Sequence, residues 1–141
     1  RELQGDREQA RAVLLRALDK SPDDVMTLTN LGSMLVREDR AQEGLVYLDR
    51  AYERRPRGLE VLVNLIVAHG KMGSLDRARR YFSEAEAVGK RPDIYNAIAY
   101  ACYLNGAIQD AGAMIARSLA LDPNQTEARR LKEEIDRKSR L

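Results

Sequence analysis

The chain has one histidine, His69, and one cysteine, Cys102, and these are the residues from which catalytic or metal-binding chemistry would start. A metal site needs several ligands at set spacings, and a nucleophilic cysteine needs a neighbouring histidine or an equivalent activating group. The sequence contains neither arrangement, and it has no glycine-rich phosphate loop. We therefore interpret both residues as packing residues in the core between helices, and we expect no enzyme activity, metal site or cofactor.

The charge balance argues against partners that are recognised mainly by charge. Lys and Arg total 24 against 22 Asp and Glu, so the net charge of +2 creates no strong field for nucleic acid or a membrane surface. The apolar run at 97–104 is too short to span a bilayer. No targeting signal is visible, which makes the cytoplasm the default expectation. Because the chain begins with Arg, we expect a fragment of a longer protein whose missing start could carry such a signal.

Three columns of residues recur along the chain at intervals of 33 or 34 residues. A period of this size is the signature of stacked helical units, none of which can bury its apolar face alone. His69 belongs to a further column at the same intervals, together with Leu35 and Cys102, which supports its interpretation as a packing residue. The three columns are Ala10, Gly44, Ala78 and Ala111; Ala17, Ala51, Ala85 and Ser118; and Gly5, Asp39, Gly73 and Gly106.

Apolar stripes with a period of 3.6 residues predict helices between these columns. The first stripe includes Val13, Leu14 and Leu18 and predicts a helix from about Asp6 to Lys20. Proline, glycine and acidic clusters then mark the helix ends. The sequence predicts an all-α protein of about eight antiparallel helices.

The helices group into one continuous domain that spans residues 1–141. We expect a half repeat at 1–24, full repeats at 25–58, 59–91 and 92–125, and a capping helix at 126–141. The last helix is polar and contains the acid-before-base pairs Glu133 with Arg137, Glu134 with Lys138, and Asp136 with Arg140. Such pairs stabilise an exposed helix, as expected for a cap that keeps an array soluble.

The order of small residues, turns and prolines resembles the tetratricopeptide repeat (TPR). Its pattern of small, aliphatic and proline positions recurs over nearly the whole chain. The residues that carry the resemblance are Gly32, Asp39, Gly44, Leu48, Ala51 and Pro56; Gly73, Ala78, Phe82 and Ala85; and Ala99, Gly106, Ala111, Ile115 and Pro123. The resemblance implies a right-handed superhelix of helix pairs and a non-catalytic protein-interaction scaffold or adaptor.

In that family the first helices of successive repeats line a groove that holds a partner peptide or helix. Carrying this over by column gives the candidate groove residues Asn30, Ser33, Arg37, Asn64, Val67, Lys71, Asn96, Tyr100 and Tyr103. A side-chain amide can donate to and accept from a peptide backbone, and tyrosines are typical interface anchors. A bond to the neighbouring repeat is the open alternative for the asparagines, as is packing under the cap for the tyrosines.

The type of partner follows from groove positions that lack the positive charge needed to bind carboxylates. Family members that clamp the acidic tails of chaperones need Lys, Arg and Asn at set positions, where this chain has Thr29, Ser33, Asp93 and Ala97. A chaperone-tail adaptor is therefore not expected. A groove of aliphatic and tyrosine residues with Arg37 and Lys71 at one edge suits an amphipathic helix or an extended apolar segment.

Two further hypotheses about function stay open. The segment at 73–96 is similar to the pentatricopeptide repeat, which binds single-stranded RNA, but the 33 to 34 residue interval and the near-neutral charge favour protein partners over nucleic acid. The uncovered stripe of Val13, Leu14 and Leu18 instead points to a docking or dimerisation domain of a larger enzyme or assembly. That stripe predicts self-association at the N-terminal end.

Overall fold

The computed structural model describes residues 2–141, with side chains from residue 4 onward. Over these residues the fold is all-α and contains eight helices and no strand, which confirms the predicted class. The helices are α1 (Glu2–Lys20), α2 (Val25–Arg37), α3 (Ala41–Arg54), α4 (Leu59–Lys71), α5 (Leu75–Val88), α6 (Pro92–Leu104), α7 (Ile108–Leu121) and α8 (Thr126–Ser139). None of these helices has the combination of length and hydropathy needed to cross a bilayer.

The helices form an array in which α2–α3, α4–α5 and α6–α7 are successive pairs. The first helices α2, α4, α6 and α8 contact one another in order along the array. Over the described residues, the second helices α1, α3, α5 and α7 contact only first helices and never each other. Because the first helices stand closer together, their side of the array is the inner, concave side. We call it the inner surface.

Each pair turns in the same way. The backbone N–H of Arg40 donates to the carbonyl of Leu35, five residues earlier, and the same bond recurs from Ser74 and from Ala107. The turn residues Asp39, Gly73 and Gly106 adopt positive φ angles of 61°, 77° and 80°, a conformation that favours glycine.

Gly5 belongs to the same column but does not form this turn. It lies inside α1, which begins at Glu2 rather than near Asp6 as predicted. The turn ends a first helix at the other three positions, and no helix precedes α1 in the described residues.

The core consists of large aliphatic side chains between pairs and small residues where helices cross. Leu28, Leu48 and Leu62 are fully buried, as are Ala51 and Ala85. The core forms two adjoining clusters, one around α2 to α4 and one around α4 to α8. Gly44 of the first predicted column lies at one such crossing, where a Cβ would lie 2.7 Å from the carbonyl oxygen of Gly32.

The capping helix pairs its charges differently from the prediction. Lys132 and Asp136 form the ion pair on its surface, with 2.7 Å between Nζ and Oδ2. The ammonium of Lys138 lies 5.5 Å from the centre of the Tyr103 ring. None of the three predicted acid-before-base pairs forms among the described residues. The predicted pairs differ from those observed because an exposed side chain can pair with several neighbours at nearly equal energy.

The crossing of α4 and α6 leads to a stability prediction. A Cβ on Gly70 would lie 2.5 Å from the Cβ and 2.8 Å from the Cα of Ala101, so the backbones would have to separate. We expect Gly70→Ala to lower the free energy of unfolding by about 1–3 kcal/mol. Chemical denaturation measures the change.

Gly112→Ala is the matched control, because a Cβ there would lie 3.7 Å from Ile135, an ordinary contact distance. Replacing this glycine within α7 should stabilise the protein by up to about 1 kcal/mol through helix propensity. Equal effects of the two substitutions would contradict the argument from close approach.

Candidate peptide-binding groove

The first part of the inner surface lies on α2, beside α1. Asn30 and Arg37 are exposed there and Ser33 is half-buried. Together with Val13 and Leu14 of α1 they line a cleft of about 370 Å³, which we call the terminal cleft. Three predicted groove residues and two residues of the predicted self-association stripe therefore share one cleft, a relation that the columns did not indicate.

The middle part lies on α4, where the candidate residues differ in what remains available to a ligand. Asn64 is half-buried and its Nδ2 donates to the carbonyl of Glu60 in the same helix, at 2.8 Å. Val67 is half-buried on the inner side between the two core clusters. Lys71 donates to the carbonyl of Val36 at 2.9 Å, where it caps the C-terminus of α2.

The last part lies on α6 and is completed by α8. Tyr100 is half-buried and lines a cleft of about 390 Å³ with Asn96 and Ile115 on one side. Leu131 and Glu134 of α8 form the other side. We call this space the cap cleft.

Tyr103 lies one turn further along α6, packed against the core and beneath the Lys138 ammonium. Burial raises the pKa of the Tyr103 phenol, with a further contribution from nearby Glu134. Tyr103 thus contacts the cap, as one of the two interpretations of the sequence allowed, while the residue as a whole is half-buried.

The Asn96 amide belongs to a hydrogen-bond network that joins three segments. Its Nδ2 donates to Oε1 of Gln125 at 2.8 Å, and its Oδ1 accepts from the Ser118 hydroxyl at 2.5 Å. Gln125 in turn donates to the carbonyls of Ser118 and Asp122. The network connects α6 and α7 with the loop before α8, so the amide of Asn96 has a structural role in this chain.

The part played by α8 was not predicted. The sequence indicated a cap, yet α8 occupies a first-helix position and contributes Arg130, Leu131 and Glu134 to the cap cleft. A signal was present, because Ala128, Leu131 and Ile135 follow Tyr95, Ile98 and Cys102 at the repeat interval. Helix position in the repeat, rather than polarity, decides which helices reach the inner surface.

His69 and Cys102 are both buried in the core. The imidazole of His69 stacks on the Tyr81 ring, with 5.5 Å between ring centres. Burial lowers the pKa of His69, nearby Arg77 lowers it further, and Asp49 opposes the shift. Burial raises the pKa of the Cys102 thiol, which keeps it protonated and unreactive at neutral pH.

A tyrosine beside His69 completes this aromatic cluster. Tyr52 meets Tyr81 edge-on at 5.3 Å and donates its hydroxyl to Glu84 at 2.5 Å. That bond to a carboxylate raises the pKa of Tyr52 to about 12. Over the described residues, no three His, Cys, Asp or Glu side chains converge on a common point. The cluster therefore packs α3, α4 and α5 together.

Two arginines of the second helices form ion pairs with acidic residues. Arg54 pairs with Asp23 at 2.8 Å and Arg79 pairs with Asp110 at 2.6 Å. The arginines close to them in sequence, Arg55, Arg57, Arg77 and Arg80, are exposed.

A family model described as Tetratricopeptide repeat matches residues 4–58 and 63–126. The chain belongs to the tetratricopeptide repeat family. TPR domains generally mediate protein–protein interaction and are generally non-catalytic scaffolds. No curated protein sequence matches the chain significantly.

Solved TPR structures share the fold at low sequence identity. The first TPR domain of human RPAP3 has 18% identity and a TM-score of 0.72, and the match covers 83% of this chain and 93% of that one. TTC0263 of Thermus thermophilus has 19% identity and a TM-score of 0.79 over 94% and 74%. MamA of Desulfovibrio magneticus RS-1 has 14% identity and 0.73 over 96% and 77%. At these identities the likeness shows the fold alone.

The different surroundings of the two asparagines in this TPR domain predict different costs of removal. Asn96→Ala leaves the buried Ser118 hydroxyl and Gln125 without their partner, and should lower the free energy of unfolding by about 1–3 kcal/mol. Asn64→Ala removes only a bond within one helix and should stay within about 0.5 kcal/mol of wild type. Urea denaturation followed by circular dichroism measures both. An Asn64 variant that loses as much stability as the Asn96 variant would contradict this assignment.

The lowered pKa of His69 predicts a pH-dependent stability. The folded pKa lies below the unfolded value of 6.5, so the unfolded chain binds more protons in the interval between the two values. This contribution to stability is complete above pH 6.5 and is lost as the pH falls through the folded pKa. His69→Leu, which places the Leu35 type in the same column, should remove it.

Urea denaturation of both proteins from pH 8 to pH 5 measures the effect. The difference between the two stability curves should change in favour of the variant as the pH falls. Parallel curves over that range would contradict the assignment of a neutral, buried imidazole.

Proposed function

We propose that this TPR domain is a non-catalytic adaptor whose inner surface along α4, α6 and α8 binds an amphipathic helix or an extended apolar segment of another protein. The supporting observation is a row of partly covered apolar side chains on first helices. Val63 and Val67 of α4 are half-buried, as are Tyr100 and Tyr103 of α6, and Leu104 is exposed. A soluble domain gains from covering such a row with a complementary apolar face.

Polar groups along this row supply orientation. The Nδ2 of Asn64 is used within its own helix, and its Oδ1 has no hydrogen-bond partner among the described residues, so it can accept from a ligand N–H. At the cap cleft, Arg130 and Glu134 place charges of both signs beside Tyr100. These groups fit the mixed polar flank of an amphipathic helix better than a uniformly charged peptide.

The positive charge predicted at the groove edge, on Arg37 and Lys71, is partly neutralised. Lys71 pairs with Asp39 at 3.2 Å while it caps α2. Arg37 is left as the exposed cation of that edge. An acidic tail would therefore meet little concentrated positive charge, which again favours an apolar ligand.

A peptide selected from a displayed library of amphipathic helices provides the probe for this proposal. We expect Tyr100→Ala to weaken binding of that peptide about tenfold or more, because a large, rigid anchor is removed from a partly desolvated cleft. Asn64→Ala should weaken it less. Fluorescence anisotropy with the labelled peptide measures each dissociation constant.

Val46→Ala is the matched control, since Val46 is an apolar residue of the second helix α3 that is 59% exposed. This variant should bind the peptide as wild type does, and all three variants should keep their thermal stability. Binding that survives in the Tyr100 variant, or that is lost equally in the Val46 variant, would exclude the inner surface as the binding site. Steep loss of the peptide's affinity with added salt would show that charge drives binding and would contradict an apolar groove.

A further inference from the structure

A cleft opens between the second helices α5 and α7, on the side of the array away from the inner surface. It has a volume of about 290 Å³, and the buried side chains of Ile98 and Cys102 in α6 form its floor. Phe82 of α5 and Met114 of α7, both half-buried, line its sides. We call this space the outer cleft. Because it lies between second helices, an inference about it goes beyond the function proposed for the inner surface.

An aromatic ring occupies the equivalent place one repeat earlier. At the repeat interval Met114 follows Tyr81, and Cys102 follows His69. The Tyr81 ring of α5 stacks on His69 of α4 and meets the ring of Tyr52 in α3 edge-on. A tyrosine at this position thus fills the space between two second helices. On α7 the unbranched methionine side chain takes the same position, and the outer cleft stays open.

The lining of the outer cleft suits an aromatic ring. Met114 and Cys102 present sulfur atoms, which make favourable contacts with ring edges. Phe82 presents a ring, and aromatic pairs gain more from contact than their buried area alone provides. A cavity of about 150 Å³ holds benzene, and pockets for drug-sized ligands begin at about 300 Å³. The outer cleft, at about 290 Å³, therefore has room for one ring rather than for a larger ligand.

The polar residues of the outer cleft are exposed. Arg79 of α5 and Asp110 of α7 form an ion pair at 2.6 Å that joins the two sides of the cleft. Ser83 lies beside them on α5 and is also exposed. An exposed ion pair contributes little to stability, so its atoms can take other partners at small cost. A peptide backbone entering here would meet a guanidinium donor, a carboxylate acceptor and a hydroxyl that serves as either.

We infer that the outer cleft binds one aromatic side chain of a partner protein. The ring takes the place that Tyr81 fills one repeat earlier, with its edge towards the sulfur atoms of Met114 and Cys102. The peptide groups on either side of that residue bond to Arg79 and Asp110 at the surface. An apolar floor beneath polar, exposed groups matches an aromatic residue within a peptide, which has a ring at one end and backbone N–H and C=O groups at the other.

Titration with N-acetyltyrosinamide, followed by the methyl resonances of Met114 and Ile98 in an NMR spectrum, tests the inference. We expect both resonances to shift and to saturate. N-acetylleucinamide should bind about tenfold more weakly, because it lacks a ring. p-Cresol, the same ring without the two amides, should also bind more weakly than N-acetyltyrosinamide.

Three results with wild-type protein would overturn the inference. Methyl resonances that do not shift would show that no ring enters the outer cleft. Equal affinity for the leucine and tyrosine amides would remove the preference for a ring. Equal affinity for p-cresol and N-acetyltyrosinamide would remove the part assigned to the peptide groups and would favour a free aromatic molecule as the ligand.

Met114→Tyr places the Tyr81 type in the same column and should fill the outer cleft. The variant should bind N-acetyltyrosinamide about tenfold more weakly or worse, because its own ring excludes the ligand. Ala113→Tyr is the matched control, since it adds the same ring to α7 at an exposed position outside the cleft. This control should bind as wild type does. Equal binding by both variants, with helix content intact by circular dichroism, would overturn the inference.

The two binding proposals fail separately because they concern opposite sides of the helix pairs. Tyr100→Ala should leave binding of N-acetyltyrosinamide at the Met114 methyl unchanged. Met114→Tyr should leave binding of the selected amphipathic peptide to the inner surface unchanged. Loss of both ligands in either variant would contradict two independent sites.

Discussion

Close approach of helix backbones at small residues is the constraint on which the rest of this structure depends. Gly32 and Gly44 face each other within the first pair, and Gly70 meets Ala101 between first helices. Where first helices touch and second helices do not, the array must curve. The inner surface, its row of partly covered apolar side chains and the two clefts at its ends are consequences of that unequal spacing.

The same packing divides the groove candidates into two groups. Lys71 and Asn96 lie where adjoining repeats leave a carbonyl or a hydroxyl to be satisfied, and their polar atoms are used there. Val67 and Tyr100 lie where the curvature opens, so part of each side chain stays uncovered. A polar residue on the inner surface of a repeat array is therefore available to a ligand only if the neighbouring repeat has no use for it.

Periodicity predicted the helices, the turns and the buried columns, because each of these is a local pattern repeated in register. The burial of His69 and Cys102 followed from their column in the same way. The partner of Asn96 did not, since Gln125 lies in the loop before α8, where the corresponding loops have Gly58 and Arg91. Spacing identifies the face on which a side chain lies, but the atom at hydrogen-bond distance depends on a loop position whose residue type does not repeat.

The helices of the array differ in the number of neighbouring helices that hold them in place. This difference affects which part of the inner surface binds a ligand best. In an array of repeats, stability is nearly a sum of repeat and nearest-neighbour terms. Helix α4 contacts α2, α3, α5 and α6, whereas α1 contacts only α2 among the described residues. A ligand on α4 and α6 meets side chains that several interfaces already hold in place, so little ordering cost falls on binding. Helix α1 is held by one interface among the described residues, so a ligand there meets side chains that are less firmly held.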